Sequence, residues 1–161
     1  MPKEGPIIII EDDKDDQLLL KSALRNAEVW NPLVFFTNGP DAYEYLKSLK
    51  QQPFLIFCDV NLPRQNGIEF KTQLDADTEL RARSTPFIFY TTYVSQYAIN
   101  EAYKNLTVQG FFQKENNFED FNNVIKVIVQ YWKLCRQPVN DSKAITNQVS
   151  VYETVFKDTK K

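Results

Sequence analysis

The chain has 161 residues, 43% hydrophobic and 25% charged, which suits one globular domain large enough to bury a core. Its 19 basic and 21 acidic side chains leave a net charge of −2, which argues against a dedicated nucleic-acid binder with its basic excess. Histidine is absent, which excludes serine–histidine and cysteine–histidine catalysis, histidine metal ligands and a phosphohistidine on this chain, and leaves chemistry to carboxylates, hydroxyls and lysines.

Apolar runs and helical periods alternate along the sequence. Ile7 to Ile10 is a β-branched run that stops at Glu11-Asp12-Asp13, and its unbroken apolar character predicts a strand buried on both faces. Asp15 to Ala27 predicts a helix with Leu18, Leu19, Ala23 and Leu24 inward; acids lead and Lys21 and Arg25 follow, in the order that suits the helix dipole. Leu33 to Phe36 predicts a second strand, followed by a turn at Asn38-Gly39-Pro40 and a helix through Tyr43, Leu46 and Leu49. Phe54 to Cys58 is a third buried strand, and it too ends at an acid, Asp59. The loop from Asn61 to Gly67, with Asn66-Gly67 read as a turn of positive φ, leads to a helix carrying Ile68, Phe70 and Leu74. Pro86 precedes a fourth strand, Phe87 to Tyr90, which ends at Thr91-Thr92, and Ser95 to Asn105 predicts a helix with Ala98, Ile99 and Ala102 inward. Gly110 to Gln113 is a fifth strand ending at Lys114. Phe118 to Leu134 is the longest helix, with Phe121, Val124, Ile125, Ile128 and Trp132 at helical intervals.

Strict β–α alternation predicts an α/β fold, a five-stranded parallel sheet with helices on both faces, and the order 2-1-3-4-5 is carried over from a common doubly wound sheet of this kind rather than read from the residues. The domain is expected over residues 5–135. Residues 136–161 read as a polar C-terminal tail, at most partly ordered, with a weak alternation at Val149, Val151 and Val155. Cys58 and Cys135 sit in apolar surroundings and are expected to be buried thiols in a reducing compartment. No signal peptide and no bilayer-spanning apolar stretch are visible, so a soluble, cytoplasmic protein without membrane contact is expected.

The polar residues of interest follow the C-terminal ends of strands one, three, four and five, the edge at which open α/β sheets bind ligands. In the order 2-1-3-4-5, strands one and three are neighbours, which brings Glu11 and Asp12 beside Asp59, with Thr91 and Lys114 leaning toward the same point. Clustered carboxylates repel one another, and a divalent cation relieves that repulsion. An all-oxygen donor set favours Mg²⁺, Mn²⁺ or Ca²⁺. A carboxylate can also act as a nucleophile toward a phosphoryl group, with a lysine and a hydroxyl to hold the phosphoryl oxygens.

The segments Ile-Ile-Ile-Ile-Glu11-Asp12-Asp13, Phe-Cys-Asp59-Val-Asn-Leu-Pro-Arg-Gln-Asn-Gly67, Phe-Tyr-Thr91-Thr92 and Gly110-Phe-Phe-Gln-Lys114 resemble the successive signatures of response-regulator receiver domains of two-component signalling. The resemblance implies the flavodoxin-like or CheY-like (βα)5 fold and a phosphorylatable switch rather than an enzyme. It implies that Asp59 is the phosphoacceptor, that Glu11 and Asp12 form the acidic metal-binding pair with Asp13 a minor acid, and that the backbone carbonyl of Asn61 completes a site for Mg²⁺, with Mn²⁺ a substitute. Thr91 is then the switch hydroxyl, Lys114 the phosphate-binding lysine and Phe111 an aromatic that changes rotamer. The donor is expected to be a phosphohistidine on a sensor histidine kinase or histidine phosphotransfer protein. Only about 25 residues follow the last helix, so output is expected through contact with an unknown downstream protein, without direct DNA binding.

The sequence departs from the family pattern in three places. Glu115 replaces the proline that usually follows the lysine through a cis bond, Glu11 replaces an aspartate, and Thr92-Tyr93 stand where smaller residues are usual. These leave a second reading open, a degenerate receiver acting as a phosphorylation-independent interaction module. A Mg²⁺-dependent aspartyl phosphatase is disfavoured, because Asn61 stands where its acid/base aspartate belongs. Tyr90, Tyr93, Tyr97 and Tyr103 read either as an exposed contact patch or as rings that cover the sheet.

Overall fold

The computed structural model describes residues 2–138. After a 3-10 turn at Pro2–Glu4, the elements run β1 (Ile7–Ile10), α1 (Lys14–Asn26), β2 (Leu33–Phe36), α2 (Gly39–Ser48), β3 (Leu55–Cys58), α3 (Gly67–Ala76), α4 (Thr78–Ala82), β4 (Phe87–Thr91), α5 (Gln96–Asn105), β5 (Gly110–Gln113) and α6 (Phe118–Leu134). The five strands are parallel and ordered β2-β1-β3-β4-β5, as expected.

Strand alternation divides the core into two layers. Ile7, Ile9, Leu55, Phe57, Ile88 and Tyr90 face α1 and α6, where they meet Leu20, Leu24, Phe121, Ile125 and Ile128. Ile8, Ile10, Ile56, Cys58, Phe87 and Phe89 face the other way, onto Ala42, Leu46, Phe70, Leu74 and Leu80 of α2, α3 and α4. All four residues of β1 are fully buried, and each such side chain contributes about 1.5–3 kcal/mol relative to exposure. That burial offsets the cost of fixing charged groups at the strand ends.

Several local expectations change. The phase of α1 turns Leu20, Ala23 and Leu24 inward and leaves Leu18 63% and Leu19 43% exposed. Asn38 caps α2, so Gly39 and Pro40 form its first turn rather than a separate turn. The short α4 was not anticipated; Asp77 ends α3 and at once caps α4, accepting from the N–H groups of Glu79 and Leu80. Cys58 is buried, whereas Cys135 caps the end of α6 and is only partly covered. The tail from residue 139, with Val149, Val151 and Val155, lies outside the described residues. No helix among the described residues is long and apolar enough to cross a membrane.

Asn66-Gly67 is not a positive-φ turn. Asn66 is the N-cap of α3, paired with Glu69 in a reciprocal capping box, and the positive φ of this loop falls on Arg64 at 67°. Gly67 is required for space. A Cβ there would lie against the backbone oxygen of Asp59, well inside van der Waals contact, and 3.0 Å from Val60 Cα. Its N–H donates to Val60 O at 2.8 Å, so α3 begins pressed against the strand end that carries Asp59. Gly67→Ala is expected to lower stability by about 1–3 kcal/mol, read as a lower urea midpoint; an unchanged midpoint would show that the loop yields freely.

Candidate functional site

Parallel pairing brings the site together. Ile10 of β1 is in register with Cys58 of β3, so the residues that follow, Glu11 and Asp59, leave the sheet side by side; the Asp59 N–H donates to Ile10 O at 3.0 Å. On the other flank Thr91 pairs with Gln113, and the Lys114 N–H donates to Thr91 O at 2.9 Å. Glu11, Asp12 and Asp59 each offer a carboxylate oxygen within 4.8 Å of the other two.

Lys114 ties two of these acids, Glu11 and Asp59, to a third carboxylate, that of Asp16. Its Nζ donates to Glu11 Oε2 at 2.6 Å, Asp59 Oδ2 at 2.8 Å and Asp16 Oδ2 at 2.8 Å, which uses all three ammonium hydrogens. Burial works against the ammonium charge, but the bonds to Asp16, Asp59 and Glu11 outweigh it and raise the Lys114 pKa above that of an ordinary lysine. Glu11 has no exposed surface; burial raises its pKa, countered by the Lys114 hydrogen bond and by the Asp13 N–H on Oε1 at 3.0 Å. Asp59 is 5% exposed and is fixed by the Asn61 N–H, which donates to Oδ1 at 3.0 Å. Asp12, whose carboxylate lies within 4.8 Å of those of Glu11 and Asp59, is exposed.

Two residues that the sequence reading did not assign to the site belong to this cluster. Asp16, in the first turn of α1, reaches Lys114. Tyr90 is not part of a surface patch. It is 2% exposed, its hydroxyl donates to Glu11 Oε2 at 3.0 Å, and Lys114 Nζ stands 5.0 Å from its ring centroid. Burial and the neighbouring Glu11 charge raise the phenol well above its ordinary pKa, so it stays a donor. A tyrosine at the end of an otherwise Phe/Ile strand was the available signal, because a buried phenol needs a partner.

Asp13 is taken up as the α1 N-cap, accepting from the N–H groups of Asp15 and Asp16 at 2.8 and 3.0 Å, so it shapes the helix rather than facing the cluster. Thr91 is buried; its hydroxyl accepts from the Asn61 side-chain amide at 3.0 Å and donates to Tyr93 O at 3.3 Å. Phe111 is half-buried, stacked on Phe89 at 4.6 Å and touching Tyr103 at 5.5 Å. The rings of Tyr93, Tyr97 and Tyr103 are exposed. The Lys114–Glu115 peptide is trans. Cys58, beside Asp59, is held protonated by burial and by the charges of Asp59 and Glu11, so its thiol is packing rather than chemistry.

The family model for the response regulator receiver domain matches residues 7–126. A probable methanogenesis regulatory protein, FilR2, of Methanothrix harundinacea is 26% identical over 130 residues, which cover 78% of this chain and 82% of that protein. The response regulator Rcp1 of Synechocystis is 24% identical over 131 residues, covering 78% and 87%. Among solved structures, the phosphorylated cyanobacterial phytochrome response regulator RcpA matches with a TM-score of 0.75 at 27% identity, over 84% of this chain and 99% of its own. The Mn²⁺-bound form of Rcp1 matches with a TM-score of 0.73 at 23% identity, over 84% and 99%, a likeness of fold.

The cluster makes a direct prediction about stability. Lys114→Met leaves Glu11 and Asp59 buried without their counter-charge, and is expected to cost about 3 kcal/mol at pH 7 in metal-free buffer, read by urea unfolding. A variant as stable as the parent would show that Lys114 does not neutralise the buried acids.

Proposed function

Because the chain belongs to the response-regulator receiver family, we infer that it is a phosphoacceptor switch of a two-component phosphorelay, with Asp59 as the phosphorylated residue. The observation that carries this reading is the convergence of Glu11, Asp12 and Asp59 within 4.8 Å, with Lys114 already on two of them. Receivers of this family work with histidine kinases or phosphotransfer proteins, and a phosphohistidine on such a partner is the donor. Asp59 attacks phosphorus, the P–N bond to the partner's imidazole breaks, and an acyl phosphate forms on the carboxylate.

The donor set fits a hard divalent cation, because three carboxylate groups from two strand ends supply oxygen only, and two of them are buried. Glu11, Asp12 and Asp59, with the backbone carbonyl of Asn61, would hold Mg²⁺, or Mn²⁺ as bound by the structural neighbour Rcp1. The ion would supply the positive charge that offsets repulsion between the acids and the incoming phosphoryl group. Lys114 would hold one phosphoryl oxygen. Thr91 would exchange its Asn61 partner for another, and Phe111 would follow by changing rotamer behind it. The surface formed by α5, β5 and α6 would then shift between two states and be read by a downstream protein, without direct DNA contact. A role independent of phosphorylation has less support, since acids, lysine and hydroxyl are all in place.

Incubation with acetyl phosphate and Mg²⁺ is expected to add one base-labile, hydroxylamine-sensitive phosphoryl group, seen by intact-mass spectrometry and lost in Asp59→Asn and on chelation of the metal. No mass gain in the parent, or a gain that persists in Asp59→Asn, contradicts the reading.

A further inference from the structure

We propose that Asp16 is a positioning residue that competes with a phosphoryl group on Asp59 for the ammonium of Lys114, so that it sets how tightly the switch holds its anionic ligand. This rests on the phosphoacceptor reading of the site. Lys114 has three ammonium hydrogens and three carboxylate acceptors, at 2.6, 2.8 and 2.8 Å. A phosphoryl group on Asp59 brings new oxygens that need donors, so one existing bond of Lys114 must be given up or the new group goes short.

The three acceptors are not equally free to let go. Glu11 is fully buried and pinned by three donors, the Asp13 N–H, the Tyr90 hydroxyl and Lys114. Asp59 is pinned by the Asn61 N–H and is itself the acceptor of the phosphoryl group. Asp16 stands apart: it comes from the flank of α1 and its side chain is 33% exposed, with Lys114 as the partner of its carboxylate. It also borders a cavity of about 90 Å³ lined by Leu19, Tyr90, Lys114, Glu115 and Phe118, so its carboxylate can rotate away without repacking the core. Asp13 places it there, because the N-cap bonds to the Asp15 and Asp16 N–H groups fix the first turn of α1 over the site.

Asp16 therefore acts as a tether. It keeps Lys114 over the acids while Asp59 is free, and it must surrender a charge-assisted hydrogen bond when an anion arrives. Without its charge the same ammonium is offered to the anion at no such loss.

The test uses beryllofluoride, a phosphoryl mimic, with the full chain in saturating Mg²⁺, and reads the dissociation constant from the change in amide NMR spectra. Asp16→Asn is expected to bind the mimic about threefold to tenfold more tightly than the parent. Asp16→Glu, which returns a carboxylate within reach of Lys114, is expected to restore the parent's affinity to within about twofold. Asp15→Asn removes the same charge from the same helical turn and is expected to leave the affinity unchanged. Equal affinities of parent and Asp16→Asn would overturn the proposal, as would an equal gain in Asp15→Asn, which would mark a general effect of charge, or a failure of Asp16→Glu to restore the parent's value. Circular dichroism melts of all four proteins establish that each is folded. If the folded parent does not bind the mimic at all, it is the phosphoacceptor reading itself that fails.

Discussion

Two carboxylates, Glu11 and Asp59, leave adjacent parallel strands with almost no exposure, and like charges so placed repel strongly unless a cation stands between them. Lys114 supplies that cation from the end of the edge strand β5, two strands from β3 and three from β1, so the mutual position of β1, β3, β4 and β5 is what makes the cluster tolerable. The fully buried isoleucines of β1 and the phenylalanines of β3 and β4 hold those strands in register. A slip of one residue would move every inward side chain to the opposite face and separate the acids from the lysine. Stability and chemistry thus share one constraint.

The same constraint explains the surroundings of Asp59. Gly67 allows α3 to start in contact with the Asp59 backbone, so the loop carrying Asn61 is drawn tight over the strand end. Asn61 then does two things: its backbone N–H orients the Asp59 carboxylate, and its side-chain amide reaches the Thr91 hydroxyl and the Tyr93 carbonyl. Asn61 therefore links the Asp59 carboxylate to the end of β4, from which α5 and its exposed tyrosines follow.

Much of this was legible in the sequence. Each strand is an apolar run closed by a residue of contrasting chemistry, and the β–α alternation with the strand order sufficed to gather Glu11, Asp12, Asp59, Thr91 and Lys114. The strand order itself came from a known fold of this type rather than from the residues, and what escaped has physical reasons. The five residues of α4 are too few to show a period, and Asp77 serves two helix ends at once. In α1 the run Leu18-Leu19-Leu20 hides the phase, which the spacing of Leu20, Ala23 and Leu24 settles only once the Asp13 cap fixes where the helix begins. Asn66-Gly67 has the composition of a tight turn, but capping chemistry and a crowded backbone decided its role. The roles of Asp16 and Tyr90 escaped because they are three-dimensional: one looks like a helix-dipole acid and the other like a ring of a surface patch or of the sheet's cover until their distances to Lys114 and Glu11 are known.

The claim that these acids form one cation-binding, phosphoacceptor pocket is tested most directly by titrating the protein with Mn²⁺ and recording paramagnetic broadening of backbone amide signals. Selective broadening centred on residues 11–13 and 59–61, displaced by excess Mg²⁺ and abolished in Asp12→Asn, is the predicted result. Broadening centred elsewhere, or spread evenly over the exposed acids of the surface, would contradict it.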